Sequence, residues 1–392
     1  MIVELKLKDW KSFADATIYV DSLMFLIGTN ASGKSNVLDA LGFLRRIAEG
    51  VQLREAVSYV RGGEDWIVRY GCKSFSLSVV VRVDEYSYRY SIEVGREDGT
   101  FSILGERLER QFKKGDWKAL FYTDVQQQGP TVSTRFYTAK RGNARKLELL
   151  RSVSILSQVE ILQVLKEVKD SAKAVSNALK SVFILNPNPD SMRAYSPLAQ
   201  NLSYDASNLA GVLAGMDDEK KESIETSLTE YVKPLPERDV DKVWAAKVGV
   251  YNRDAMLYCD ERWSSNNILH LDARGMSDGT LRFIAIVMAL LTVSAGSLLV
   301  IEEIDNGLHP SRSHELVKVL TEIGGERGVD VLCTTHNPVL VDALGNSMVP
   351  FISFISRDRD GNSEVRLIED IPNLPRLMSE DTIGGLMASD RL

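Results

Sequence analysis

Residues 28–36 read Gly-Thr-Asn-Ala-Ser-Gly-Lys-Ser-Asn, GTNASGKSN. Gly28, Gly33, Lys34 and Ser35 meet every fixed position of G-x-x-x-x-G-K-[ST], and each fixed position has a physical job. The glycines permit backbone geometry that aims successive N–H groups at phosphate oxygens. The lysine reaches the β- and γ-phosphates, and the Ser35 hydroxyl sits on Mg2+. Asn30, Ala31, Ser32 and Asn36 complete the candidate nucleotide-binding set. The flanks agree with this reading. Leu23 to Ile27 is a short apolar run suited to a buried parallel strand. Val37, Leu38, Leu41 and Leu44 then recur at helical spacing, so the loop opens a helix whose N-terminus faces the phosphates.

Composition bounds the rest. A chain of 392 residues holds one such core plus an insertion or second lobe. With Lys+Arg 47 against Asp+Glu 54, it is mildly acidic, which argues against coating nucleic acid non-specifically. Cys72, Cys259 and Cys333 are isolated, so neither a zinc site nor a disulfide framework is implied and a reducing cytoplasm fits. Met1 to Leu7 alternates like a strand and lacks the long apolar region of a signal peptide. Phe283 to Ile301 carries no charge, but Thr292 to Ser297 interrupts it with turn formers. It reads as a buried helix, a turn and a buried strand, with no membrane span.

Three further stretches carry chemistry. Leu298 to Ile301 is an apolar strand ending in Glu302 and Glu303, the shape of a Walker B motif. There Glu302 would hold the Mg2+ shell and Glu303 would polarise the attacking water. Ser277 is a good N-cap for the helix that follows Gly275-Met276, and Gly279 lets backbone approach closely. Val329 to Pro338 is a second buried strand, and it ends in His336 where sites of open α/β sheets lie.

In chain order the four elements are phosphate loop, Ser-x-Gly helix cap, strand with Glu-Glu and strand with terminal His, an order that resembles the ABC-type ATPases, within them the RecF/SMC-like branch. Glu303 to Pro310 (EIDNGLHP) and Ser207 to Leu213 (SNLAGVL) are similar to stretches of the compact bacterial AAA-family ATPases found beside nucleases in anti-phage defence cassettes. The resemblance implies an α/β P-loop NTPase fold with an ABC-type head, in which a mixed central sheet is joined by an antiparallel β lobe and a compact helical insertion. It implies ATP and Mg2+, with Lys34 and Ser35 on the phosphates and metal. Ser277 and Gly279 would close over the γ-phosphate of a second copy. It assigns Glu303 as the catalytic carboxylate, Asp305 to the D-loop and His336 as the switch histidine. The chain departs from the pattern at Asp278 and Thr280 in the signature and at Glu302, where Asp is commoner. No glutamine fills the Q-loop, whose expected place is taken by Arg61 to Trp66.

The interior has a different texture. Phe75 to Val83 and Tyr86 to Val94 alternate about Asp84-Glu85 as an antiparallel hairpin would. Arg145 to Val182 shows helical spacing: Leu147, Leu150, Val153, Leu156, then Ile161, Leu165, Val168, Ala172, Val175 and Leu179. The expected division is 1–140 for the first half of the head and 141–238 for the helical insertion. Residues 239–392 form the second half of the head. Sustained heptads are missing, so the insertion reads as a compact lobe without coiled-coil arms. Arg135 to Arg151 is locally basic with interleaved aromatics, a candidate contact for nucleic acid or else a solvated loop and helix start. Expected partners are a second copy, in a homodimer or higher even oligomer, and a nuclease or other effector. The alternatives are a DNA-binding repair clamp loaded by ATP and a small-molecule P-loop kinase, and the kinase needs neither the Ser-x-Gly cap nor the terminal His.

Overall fold

The computed structural model describes residues 1–97, 99–113, 115–124, 129–138, 144–234, 240–264, 267–389 and 391–392. Its centre is a six-stranded sheet in the order Val182–Leu185, Leu298–Ile301, Asp330–Thr335, Leu23–Ile27, Ile352–Arg357, Ser363–Leu367. The first five strands run parallel, and the last is antiparallel to its neighbour. Strands buried on both faces read as continuous apolar runs, which is how Leu23–Ile27 and Leu298–Ile301 read.

Successive residues of those runs enter different cores. Phe25, Ile27, Leu299, Ile301 and Val331 join one buried cluster, with the helix Asp278–Thr292. Met24, Leu26, Leu298, Val300 and Leu332 join another, with the helix Lys34–Ala48. The parallel sheet is therefore the wall between two cores. The second core is roofed by an eight-stranded antiparallel sheet in the order Phe13–Tyr19, Ile2–Trp10, Ser74–Val83, Tyr86–Glu97, Thr100–Phe112, Lys118–Thr123, Thr131–Phe136, Arg145–Leu150. A smaller antiparallel sheet, built on Val240–Val248 and Asp254–Ser264, packs in the first. Ser74–Val83 and Tyr86–Glu97 form the hairpin expected from alternation.

The helical reading of Arg145 onward needs correction at its start. Arg145–Leu150 is a strand, paired antiparallel with Thr131–Phe136. Leu147 and Leu150 have helical spacing, yet Leu149 is the residue that is buried and Leu150 is 52% exposed. An available sheet edge decided the matter, since cross-strand pairing outweighs a three-residue repeat over so short a run. Helix Lys166–Lys180 buries Val168, Ala172, Val175 and Leu179 as the spacing requires, while Ile161 points out, 84% exposed. At the far end of the 141–238 segment's first half, Val182–Leu185 enters the central sheet beside the Glu302 strand. Phe283 to Ile301 is a helix, a turn and a strand, and no described helix is long and apolar enough to cross a membrane.

Candidate functional site

A recess of about 190 Å3 lies at the carboxyl edge of the central sheet, lined by Asn30, Ala31, Gly33, Lys34, Ser35, Asn36, Glu303 and Arg357. Strand Leu23–Ile27 runs into it and helix Lys34–Ala48 runs out. The glycines are dictated by space as well as by φ. A β-carbon on Gly28, at φ 150°, would meet the Ile355 carbonyl oxygen at 2.2 Å. One on Gly33, at φ 120°, would meet Ser363 Oγ at 2.4 Å. Ala31 holds a left-handed φ of 63° without being glycine, a cost that neighbours must offset.

Those neighbours are distant in sequence. Ser363 Oγ donates to the Ser32 carbonyl, Arg357 Nε donates to the Ala31 carbonyl at 3.0 Å, and Asn36 Nδ2 donates to Ser12 Oγ at 2.7 Å. Trp10 Nε1 donates to the Asn36 carbonyl. The Asn36 side chain is thus engaged in bracing the loop from the turn between the first two strands.

Lys34 is nearly buried and donates to the Gly28 and Thr29 carbonyls at 2.7 and 2.9 Å. Burial lowers its pKa, and the charges of Glu303 and Asp305 partly offset that. A buried ammonium whose hydrogen bonds go to carbonyls, with no acid among the described residues in direct contact, is short of counter-charge, so this recess favours an anion. Ser32 Oγ is buried there with no hydrogen-bond partner.

Glu302 and Glu303 leave the same strand and face different company. Glu302 is buried. Its Oε1 accepts from Ser35 Oγ at 2.8 Å and Arg61 Nη1 at 2.5 Å, and its Oε2 accepts from Asn186 at 3.4 Å and Tyr204 at 3.3 Å. A serine hydroxyl and one carboxylate are the hard oxygen donors Mg2+ takes from protein when phosphates and water supply the rest. Ser35 and Glu302 therefore fit that ion, and the Arg61 guanidinium on the same oxygen shows the spot favours positive charge. Arg61 also reaches Asp39 Oδ1 and the Ser35 carbonyl. Burial opposes its charge, but Asp39 and Glu302 outweigh that and raise its pKa. The segment expected at the Q-loop thus delivers an arginine to the candidate metal site.

Glu303 is more open and carries a left-handed φ of 45°, held by Thr334: its N–H donates to Thr334 Oγ1 and the Ile304 N–H to the Thr334 carbonyl. A non-glycine residue in that region stores about 1–3 kcal/mol, which persists only where surroundings over-determine it. His336 Nδ1 lies 3.9 Å from Glu303 Oε1 and makes no hydrogen bond. Asp305 is buried and accepts from Thr335 Oγ1 at 2.6 Å, tying the loop after the Glu-Glu pair to the strand that carries His336.

Ser277 and Gly279 stand apart from this group and do not line the recess. Ser277 is exposed and caps its helix, its Oγ accepting from the Thr280 N–H at 3.2 Å. Gly279 is buried within its own chain, where a β-carbon would meet the Gly307 carbonyl at 2.7 Å. Asp278 pairs with Arg193 and Thr280 contacts Arg312. The basic stretch is largely committed. Arg151 is buried and donates to the Ile103 and Gly129 carbonyls, while Arg135 and Lys146 share Asp124. Residues 139–143, with Lys140 and Arg141, lie outside the described residues.

Sequence reading missed Asn186, Tyr204 and Arg357, and it placed Arg61 at the expected Q-loop position without giving it a role. One signal reaches two of them: the rule that open α/β sheets bind ligands at the carboxyl ends of their parallel strands. The five parallel strands end at Asn186, Glu302-Glu303, His336, the phosphate loop and Arg357.

Comparison with known proteins agrees with this architecture. The family profile described as "AAA domain, putative AbiEii toxin, Type IV TA system" matches residues 23–342. No curated protein matches the chain in sequence. Among solved structures, the chain is similar to an SMC head bound to the C-terminal winged-helix domain of ScpA, with TM-score 0.55 and 15% identity over 93% of this chain and 97% of that one. It is also similar to an SMC head with an extended coiled coil bound to the C-terminal domain of ScpA, derived from Pyrococcus furiosus. That match has TM-score 0.50 and 13% identity over 97% and 98% of the two chains. At such identities the likeness establishes the SMC-head, ABC-type P-loop fold.

Proposed function

The chain belongs to this AAA-domain family of P-loop ATPases, and on that premise we propose that it is an Mg2+-dependent ATPase whose active form is a head-to-tail pair. Each phosphate loop would meet the Ser277 helix cap of the other copy. The observation that carries the reading is the exposure of Ser277 outside its own chain's recess. A helix N-terminus is a favourable place for an anion, and here its capping residue, Ser277, is exposed. Two-fold symmetry lets the same pair of surfaces complete both sites.

Within each site, Lys34 and the loop N–H groups hold the phosphates. Ser35 and Glu302 hold Mg2+, which when bound neutralises phosphate charge. Glu303 takes the proton of, or orients, the attacking water. His336, 3.9 Å from Glu303, senses the γ-phosphate with its uncommitted Nδ1. The family description names a toxin of a toxin–antitoxin system, which supports coupling of the ATP cycle to a nuclease or other effector in bacterial defence. The alternative of a DNA-loaded clamp draws less support, because most described cations of the 135–151 stretch are already paired or buried.

Complementation tests the shared site. Ser277→Arg places a cation where the neighbour's γ-phosphate docks, and Lys34→Ala removes the phosphate lysine. Each alone is expected to be inactive as an ATPase. An equimolar mixture has one intact composite site per heterodimer and should regain part of the activity. Mixtures as dead as either parent, although heterodimers demonstrably form, would overturn independent composite sites.

A further inference from the structure

We propose that Arg357 is a phosphate-contacting residue, a cation that the strand beside the phosphate loop supplies to bound nucleoside triphosphate. The inference rests on the nucleotide reading of that loop and goes beyond it, because no part of the G-x-x-x-x-G-K-S pattern calls for a second cation.

Position comes first. Arg357 ends the strand Ile352–Arg357, which lies parallel and adjacent to Leu23–Ile27, with Phe354 opposite Ile27. The two chains leave the sheet on the same edge, one as the phosphate loop and one as Arg357. Carboxyl ends of adjacent parallel strands are where such sheets place ligand contacts.

Geometry comes second. Arg357 lines the same recess as Lys34 and Ser35. Its Nε donates to the Ala31 carbonyl at 3.0 Å and its Nη1 to the Gly361 carbonyl at 2.5 Å. Those bonds anchor the guanidinium at the lip of the loop and leave Nη2 uncommitted. A planar fork held by two carbonyls is preorganised to donate its remaining N–H groups to a phosphate oxygen.

Charge comes third. Among the described residues, Arg357 hydrogen-bonds to those two carbonyls and pairs with no acid. The recess it lines holds Lys34 and Arg357 against a single carboxylate, Glu303. Several surface arginines elsewhere in the molecule take acids, as Arg135 takes Asp124, Arg262 takes Asp241 and Arg391 takes Glu380. An arginine with its counter-charge missing, at the mouth of an anion cradle, matches the triphosphate in sign and geometry.

Equilibrium binding of ATP to the full chain tests this, with Arg357→Ala, Arg357→Gln, Arg357→Lys and Lys34→Ala compared at two salt concentrations. Loss of one charged hydrogen bond is expected to weaken ATP binding about tenfold in the Ala and Gln variants. Their binding should also depend less on salt. The Lys variant, which keeps the charge, should retain most of the affinity. Melting temperature without nucleotide confirms that each variant is folded, and the exposed setting of Arg357 favours that. Gln keeps a donor for the Ala31 carbonyl. Wild-type affinity in the Gln variant would therefore mean that Arg357 only braces the loop, and would overturn the proposal. So would unchanged affinity in Ala, or equal losses in all three with unchanged salt dependence. Unchanged ATP binding in Lys34→Ala would instead fell the phosphate-loop reading, and this proposal with it.

Discussion

Glu302 and Glu106 are both buried carboxylates with four donors around them, and they are built for different ends. Glu106 sits in the antiparallel lobe, 2% exposed. It accepts from Tyr90 Oη and Ser154 Oγ, each at 2.9 Å, and from the N–H groups of Ile155 and Leu156, each at 2.8 Å. Two of its donors are main-chain groups that cannot move without unwinding the turn at Ile155–Gln158, and Tyr90 is itself wholly buried. All four of Glu302's donors are side chains, and two of them, Asn186 and Tyr204, sit at 3.4 and 3.3 Å. Arg61 on the same carboxylate is half exposed and free to rehydrate. The first carboxylate is a rivet that fastens the strand Thr100–Phe112 to the chain at 154–156. The second is held by partners that a metal ion and water can replace. Burial alone does not tell a structural acid from a functional one; the replaceability of its partners does.

Removing each acid is the strongest way to break that contrast. Glu106→Ala strands two buried N–H groups and leaves the Tyr90 and Ser154 hydroxyls only each other, at 3.1 Å. An unsatisfied buried donor costs about 1–3 kcal/mol, so a loss of about 3 kcal/mol or more is expected in chemical denaturation. Glu302→Ala should cost no more than about 1 kcal/mol, because Arg61 returns to water. Equal losses would show that the two acids are equivalent.

The neighbouring acid sharpens the division on the kinetic side. Glu303→Gln should retain ATP binding and slow steady-state hydrolysis by about a hundredfold or more, the scale of a lost general base. If Glu302→Gln gives that pattern and Glu303→Gln does not, the roles within the pair are reversed.

The shallowest effect is a pH dependence that belongs to the rivet. Burial raises the Glu106 pKa to about 7, against the pull of its backbone and side-chain donors. Asp330, raised by burial to about 6, has the same sign. A carboxyl whose folded pKa exceeds its unfolded value binds more protons when native, so its stabilisation is full below the unfolded pKa and declines as pH rises through the folded one. The melting temperature should fall between pH 5 and 8 across the window about 7 that Glu106 sets. Glu106→Gln should flatten that slope; an unchanged slope would remove Glu106 as its source.

What could be read before folding depended on whether the information was local. The phosphate loop, the apolar strand before it and the helix after it occupy one continuous stretch, so chain order fixed the arrangement. The strand ending in Glu302-Glu303 and the strand ending before His336 were legible for the same reason, as continuous apolar runs capped by polar groups. The alternating hairpin at 74–97 carries its pattern in its own residues. Arg145–Leu150 was misread because its spacing fits two periods, and the free edge of Thr131–Phe136 chose between them. Asn186, Tyr204 and Arg357 were invisible, and Arg61 was located without a role, because none belongs to a local stretch with the site residues it touches. Arg357 meets Ala31 across 326 positions, and Asn186 meets Glu302 across 116. By itself the sequence determined the P-loop fold and the local chemistry of each strand end, because backbone conformation and burial pattern are short-range properties. Only the tertiary structure decided which strand ends stand side by side. That depends on sheet order, set when two cores close on opposite faces of one parallel sheet.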